Sequence, residues 1–128
     1  MTHLFVACAL LAAAPLAHRA AEDPRLSVRV VAVQRLLYRD GADARSDRPA
    51  HVRAASGLAW WGERLAIAQD DAAFVAVWDP KTHHVDHIDL PADARGRRQF
   101  DALHGNKAAK LDLESIAAAP DGGLLAFG

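Results

Sequence analysis

The 128-residue chain carries 15 Lys and Arg against 16 Asp and Glu, a net charge of −1 with histidine neutral, and 52% hydrophobic residues. That length and apolar content suit one domain with a buried core and exclude a chain disordered by composition. The near-neutral balance, with no basic stripe, excludes a protein held to nucleic acid by a positive field. A single cysteine, Cys8, excludes an internal disulfide framework.

Leu4 to Ala17, "LFVACALLAAAPLA", is an uncharged apolar run of signal-peptide length and too short to cross a bilayer. The sequence therefore predicts a signal peptide over residues 1–20, export to the periplasm or medium, and no membrane span once it is removed. An ordinary apolar terminus is the competing reading. Residues 25–128 then form the mature part. Within it, Arg25 to Tyr38, "RLSVRVVAVQRLLY", is rich in β-branched residues and partly alternating, which predicts one or two strands. Arg39 to Ala55 is rich in Arg and Asp and lacks apolar periodicity, so it reads as a long loop.

From Gly57 to Leu90 four short runs follow one another: "SGLAWW", "RLAIAQ", "FVAVWD" and "HVDHIDL". Gly62-Glu63, Asp70-Asp71 and Pro80-Lys81-Thr82 separate them as turns. Sequential strands with short links predict an antiparallel meander. A second polar link runs from Pro91 to Leu111, after which the pattern restarts. "ESIAAAPDGGLLAFG" parallels "SGLAWWGERLAIAQ" with Ser115 set against Gly57, Ile116 against Leu58, Ala117 against Ala59 and Leu124 against Leu65. A repeated four-stranded meander is the unit of a β-propeller, and the small residues on the two first strands suit the crowded axis where blades converge. The expectation is an all-β, partial β-propeller: one four-stranded blade and the first hairpin of the next, as the N-terminal part of a longer protein. An ordinary β-sandwich or a small α/β domain are the alternatives.

Strand polarity assigns the polar residues. In a meander the links before each first strand and the turn after the second strand share one face. Asp70 and Asp71, both long links, and Asp112 and Glu114 at the start of the next inner strand all fall on that rim. Asp112 and Glu114 are two residues apart, so on a strand they face the same side, ~7 Å apart along the chain. With Asp70 or Asp71 from the neighbouring repeat they form a candidate oxygen-ligand set for a hard cation. Lys107, Lys110 and Arg98 are candidates for facing an anionic substrate. Solvated loop charge, with the Asp70-Asp71 pair making local turn hydrogen bonds, is the plain alternative. "HHVDH", His83 to His87, spaces His83 and His87 ~13 Å apart on a strand, too far for one ion. His84 and Asp86 share the other face as a weak chelate, and a polar outer strand that discourages edge pairing is the stronger reading.

"KLDLESIAAAPDGGLLAFG", Lys110 to Gly128, resembles the Asp-x-Glu strand and hairpin of the phytase-like, or esterase-like, β-propeller group, and "GLAWWGERLAIAQDDAAFVAVWDP" resembles a blade of its bacterial members. The resemblance spans Val30 to Gly128, with Asp112 and Glu114 best matched and Asp70 and Asp71 less so. It implies calcium on these carboxylates and phosphate esters as one substrate class. Two functions follow as expectations. One is a calcium-dependent phosphoester or ester hydrolase. The other is a non-catalytic propeller that binds a peptide, glycan or protein on the same rim. Fold alone does not separate them.

Overall fold

Between Ala55 and Asp89 each short apolar run becomes a strand because a turn residue stops it before it can lengthen. The computed structural model describes residues 23–128, so the leader expected over residues 1–20 lies outside the described residues. Four strands form one sheet in chain order: β1 (Ala55–Trp61), β2 (Arg64–Gln69), β3 (Phe74–Trp78) and β4 (Val85–Asp89). All neighbours are antiparallel. A second sheet is the hairpin β5 (Ser115–Ala118) and β6 (Leu124–Phe127). One 3-10 turn, Lys107–Ala109, completes the elements. The fold is thus all-β, a four-stranded blade followed by the inner hairpin of a second. Among the described residues no helix is long and apolar enough to cross a membrane.

The turns follow from their residues. Trp61 pairs with Arg64, leaving the two-residue loop Gly62-Glu63, with Gly62 left-handed at φ 61°, as a type II′ hairpin requires. At the β3–β4 turn the Asp79 carboxylate accepts the Lys81 backbone N–H at 2.7 Å, closing an Asx turn.

The two inner hairpins share one register. Gly57 pairs with Ala68, Leu58 with Ile67, Ala59 with Ala66 and Trp60 with Leu65. Their counterparts pair as Ser115 with Phe127, Ile116 with Ala126, Ala117 with Leu125 and Ala118 with Leu124. The sequence repeat is therefore a structural repeat, pair for pair.

Alternation along the strands gives the blade two apolar faces. On one, Ala66, Ala68, Val75 and Val77 are buried together with Leu113 and Ile116, and Ala59, Trp61 and Leu124 pack against them. This is where the second hairpin sits. On the other, Ile67, Ala76 and Val85 pack with Tyr38, flanked by Leu36 and Val52 from the loop before β1. That loop is pinned by backbone bonds, among them Tyr38 N–H to the Ala50 carbonyl at 3.1 Å and Arg39 N–H to the Val85 carbonyl at 2.9 Å. Each buried Val or Ile side chain contributes on the order of 1.5–3 kcal/mol.

The strand predicted over Arg25 to Tyr38 does not form. Residues 25–36 carry no strand assignment, and only Leu37 and Tyr38 make isolated bridges, to His51 and Val85. Val28, Val30 and Val31 are exposed. Alternation favours an extended backbone, but a strand exists only where a second chain segment supplies its ladder bonds.

Gly57 fixes how closely the two repeats approach. A Cβ built there would lie 2.8 Å from the Ser115 Cα and 2.9 Å from the Ile116 N. Those are backbone atoms, which cannot rotate away, so only glycine lets β1 and β5 pack at this distance. Gly57→Ala should lower stability by about 1–3 kcal/mol, the usual cost of overpacking. Urea unfolding followed by tryptophan fluorescence reads this directly, and a variant as stable as the parent would show that the contact does not constrain the packing.

Candidate metal centre on the loop-bearing rim

Asp70 ends the run of β2, and its backbone N–H donates to the Ala54 carbonyl at 2.9 Å, which holds the turn against the start of β1. The link after β4 crosses the same turn. Ala73 N–H donates to the Arg98 carbonyl at 2.8 Å and Phe100 N–H to the Asp71 carbonyl at 2.9 Å. Ala72 and Gln99 form a bridge between them. The link then returns through Lys107–Ala109 and reaches Lys110 beside Asp70.

Asp112 takes a left-handed backbone, φ 54°, a conformation aspartate adopts more readily than most residues. Beyond this reversal Leu113 is buried, and the Glu114 N–H donates to the Phe127 carbonyl at 2.8 Å, continuing the β5–β6 ladder. The Ser56 hydroxyl donates to the Leu113 carbonyl, tying the segment to β1. Asp112 and Glu114 thus precede β5 instead of lying within it. The backbone reversal, and not strand geometry, sets where the Asp112 carboxylate points.

Asp70, Asp112 and Glu114 each offer a carboxylate oxygen within 4.8 Å of the others, a group that could hold a metal ion. Two repeats supply it: Asp70 comes from the first blade, the other two from the strand that opens the second. The Lys110 ammonium lies between two of the three, 2.7 Å from the Asp70 Oδ1 and 2.5 Å from the Asp112 Oδ1. One positive charge among three carboxylates leaves the group at −2 when all are ionised. Glu114 has no ion-pair partner among the described residues. The hydrogen bond from the Lys110 ammonium holds the Asp112 carboxyl below its ordinary range. Hydrogen bonds to Asp112 and then Asp70 push the Lys110 ammonium above its own. Lys107 is exposed on the 3-10 turn and adds favourable charge toward Asp112.

Asp71 is turned away from this group. Its Oδ2 pairs with the Arg53 guanidinium at 2.7 Å, while its Oδ1 is buried without a partner. Arg53 also donates to the Gln99 Oε1 at 2.9 Å and lies 3.8 Å from Asp101. Adjacent residues in a turn project differently, so Asp70 and Asp71 serve different clusters. Arg98 does not face the rim's open side. Its Nε donates to the Leu90 carbonyl at 2.9 Å, another nitrogen to the Ser46 carbonyl at 3.3 Å, and its guanidinium lies over Phe74. It braces the links where the sequence suggested an anion contact.

Sequence reasoning missed Arg53, Gln69 and the Arg48–His87 pair. Gln69 is buried, donating to the Tyr38 hydroxyl at 3.0 Å and the Phe74 carbonyl at 2.9 Å, and accepting from the Arg53 backbone N–H at 2.7 Å. Arg48 lies 2.7 Å from the His87 ring and over Tyr38. His87 therefore takes part in a part-buried polar brace with Arg48. Arg53 and Gln69 are 16 residues apart, Arg48 and His87 39, and Arg53 and Gln99 46, and these pairs share no motif.

Blade, inner hairpin and acidic rim together define a propeller-type all-β protein with a candidate cation site at the junction of two repeats. The chain belongs to DUF6929, a family of unknown function, whose model matches residues 51–128. That span takes in all six strands and every residue of the carboxylate group. No curated protein and no solved structure matches the chain.

Because Lys110 lowers the Asp112 pKa, this contact adds stability that is present above the ordinary carboxyl value of about 3.9 and is lost as pH falls through the lowered folded value. Lys110→Met should move the Asp112 carboxyl titration upward, toward or above that ordinary value. Carbon-detected NMR titration of the side-chain carboxyl reads the change, and an unmoved Asp112 would mean that Lys110 does not hold it.

Proposed function

We propose that the protein is an exported, calcium-binding member of the propeller class whose rim takes anionic esters, phosphoesters foremost, for hydrolysis. The observation that carries this reading is the convergence of Asp70, Asp112 and Glu114 from two repeats within 4.8 Å, more negative charge than Lys110 alone offsets. The donors are all carboxylate oxygens, which suits a hard cation and not a thiophilic or imidazole-seeking one. Calcium accepts six to eight oxygens in loose geometry, so three carboxylates on a rim open to water fit it better than the strict octahedron of magnesium. Bound there, the ion would supply Lewis-acid polarisation of a phosphoryl or acyl oxygen.

The chain's own residues divide the remaining work. Asp112 stays ionised down to low pH, which makes it a ligand and unsuits it as a proton donor at neutral pH. Lys110 occupies the place between Asp70 and Asp112. Asp70, Asp112 and Glu114 would hold the cation in competition with the Lys110 ammonium, and Lys107 and Lys110 would offer positive charge to an anion at the rim. The apolar run Leu4–Ala17 supports export, where millimolar calcium suits a site of modest affinity.

A second reading, binding without turnover, is supported by the openness of the site. Asp112 is 58% exposed at its side chain, whereas hydrolytic sites usually exclude water around the reacting group.

Calorimetric titration with calcium chloride should give one site with Kd on the order of 0.1–1 mM, the range of extracellular calcium modules. Asp112→Asn/Glu114→Gln should weaken it at least about tenfold, while Lys110→Met, which removes the competing ammonium, should tighten it. Absence of calcium heat in the parent and in Lys110→Met would overturn the cation site. Calcium binding with no turnover of p-nitrophenyl phosphate or p-nitrophenyl acetate would select the binding reading over the hydrolase.

A further inference from the structure

Arg48 is only 5% exposed, and among the described residues it belongs to no ion pair. Its Nε is buried without a partner. One terminal nitrogen donates to the Gly41 carbonyl at 3.2 Å, and the other lies 2.7 Å from the nitrogens of the His87 ring. The guanidinium also sits over the Tyr38 ring. A buried charge with so few partners depends heavily on each acceptor it has. A guanidinium can only donate, so the His87 nitrogen that accepts from it carries no proton. The ring's one proton then sits on the other nitrogen, and Nε2 lies 3.4 Å from the Asp89 Oδ1. An imidazolium donates from both nitrogens, which would remove the acceptor and set a second cation against Arg48.

The groups around the ring decide which effect wins. On β4 itself, Asp89 attracts an imidazolium, but its side chain is 43% exposed and Arg98 of the link shares it at 3.7 Å. Asp86 lies on the other face of β4 and pairs with Arg39 at 3.2 Å. Tyr38 and, from β3, Phe74 meet the ring edge to face. Burial pushes the Tyr38 hydroxyl up, so it supplies no negative charge. Asp43 faces Arg48 across a short hairpin, but its carboxylate accepts from the Arg45 N–H and the Ser46 hydroxyl, both at 2.9 Å. Solvent and salt screen the exposed Asp89 and reach the buried guanidinium far less. Repulsion from Arg48 therefore outweighs attraction to Asp89.

We propose that His87 is a proton-operated catch: neutral, it holds the loop of residues 38–52 on the blade through Arg48, and protonated, it releases that loop and, through Asp47, the second long link. Histidine is the side chain whose ordinary charge change falls between pH 5 and 8. Opening lets the ring take up a proton that the closed brace excludes. The open state binds more protons, so it gains as pH falls. Asp47 carries the release onward. It adjoins Arg48, and its carboxylate accepts the Arg98 and Gln99 N–H groups, both at 2.9 Å. A loosened Asp47 leaves that link without its anchor, and the link ends at Lys110 beside Asp70. The catch works whatever the rim binds.

Amide hydrogen exchange of the whole chain, followed by NMR at about pH 7.5 and about pH 5.5 and corrected for intrinsic exchange, tests this. The loop is read at Tyr38, Asp43, Arg48 and Val52, whose N–H groups donate its backbone bonds, and the link at Arg98 and Gln99. Their protection should fall at least about tenfold at the lower pH, as uptake of one proton allows, while the paired amides of β2 and β3 keep theirs. His87→Gln keeps an acceptor that takes no proton, and Arg48→Met removes the buried charge. Each should show the same loop protection at both pH values, whatever its level, so a variant that loosens the loop still gives a reading. Equal loop protection at the two pH values in the parent, a fall shared equally by β2 and β3, or a fall that persists in either variant would overturn the proposal.

Discussion

The rest of the molecule depends on the backbone contact between β1 and β5 at Gly57. At that point a side chain on β1 would meet the β5 backbone and push the repeats apart, and the absent Cβ lets Ser115 and Ile116 settle against the first strand. Ile116 then reaches the Ala66–Val77 face, Leu113 is buried beside it, and Trp61 donates its indole N–H to the Gly122 carbonyl at 2.7 Å. Apolar burial supplies the driving force, and the small residues on the receiving face decide how near it brings the two hairpins. The site follows from that distance. Asp112 and Glu114 precede β5 by only a few residues, so a second hairpin held farther off would carry them away from Asp70.

A charge constraint works beside the packing one. Three carboxylates gathered in one place repel each other, and the fold tolerates them because Lys110 returns beside Asp70 at the end of the long link. The link is itself a built structure. Asp47 accepts the backbone N–H groups of Arg98 and Gln99, both at 2.9 Å, and Asn106 donates to the Gln99 carbonyl at 2.9 Å. These bonds replace the ladder that a strand would have supplied, as buried backbone groups require. The polar residues of both links therefore have two uses: most hold the rim in shape, and a few meet at its opening.

What the sequence disclosed and what it withheld divide along the range of the interactions. The meander was legible because each of its strands is bounded by its own turn, Gly62-Glu63 or Asp79 to Thr82, and such turns are local chemistry. The repeat was legible because matching residues occupy matching registers, so aligning Ile116 with Leu58 also aligned their partners. Strand polarity sufficed to bring Asp70, Asp112 and Glu114 to one rim. It did not separate Asp70 from Asp71, since the partner of Asp71 is Arg53, 18 residues away in a loop without pattern. Nor could composition show that Arg98 spends its guanidinium on the Leu90 and Ser46 carbonyls. Arg25 to Tyr38 misled for the complementary reason: alternation records what a strand would bury, while pairing depends on an edge elsewhere in the chain.

Two repeats, fixed at their contact by Gly57, bring together a carboxylate group that neither repeat holds alone, and the proposed function rests on its holding a cation. The most direct measurement is a crystal structure of the chain grown with manganese in place of calcium, with anomalous scattering recorded for the metal. A cation site there should give an anomalous peak among Asp70, Asp112 and Glu114, with the Lys110 ammonium moved out from between the two aspartates. Crystals that show no peak there, with Lys110 still bridging Asp70 and Asp112, would contradict it and leave the lysine as the group's resident cation.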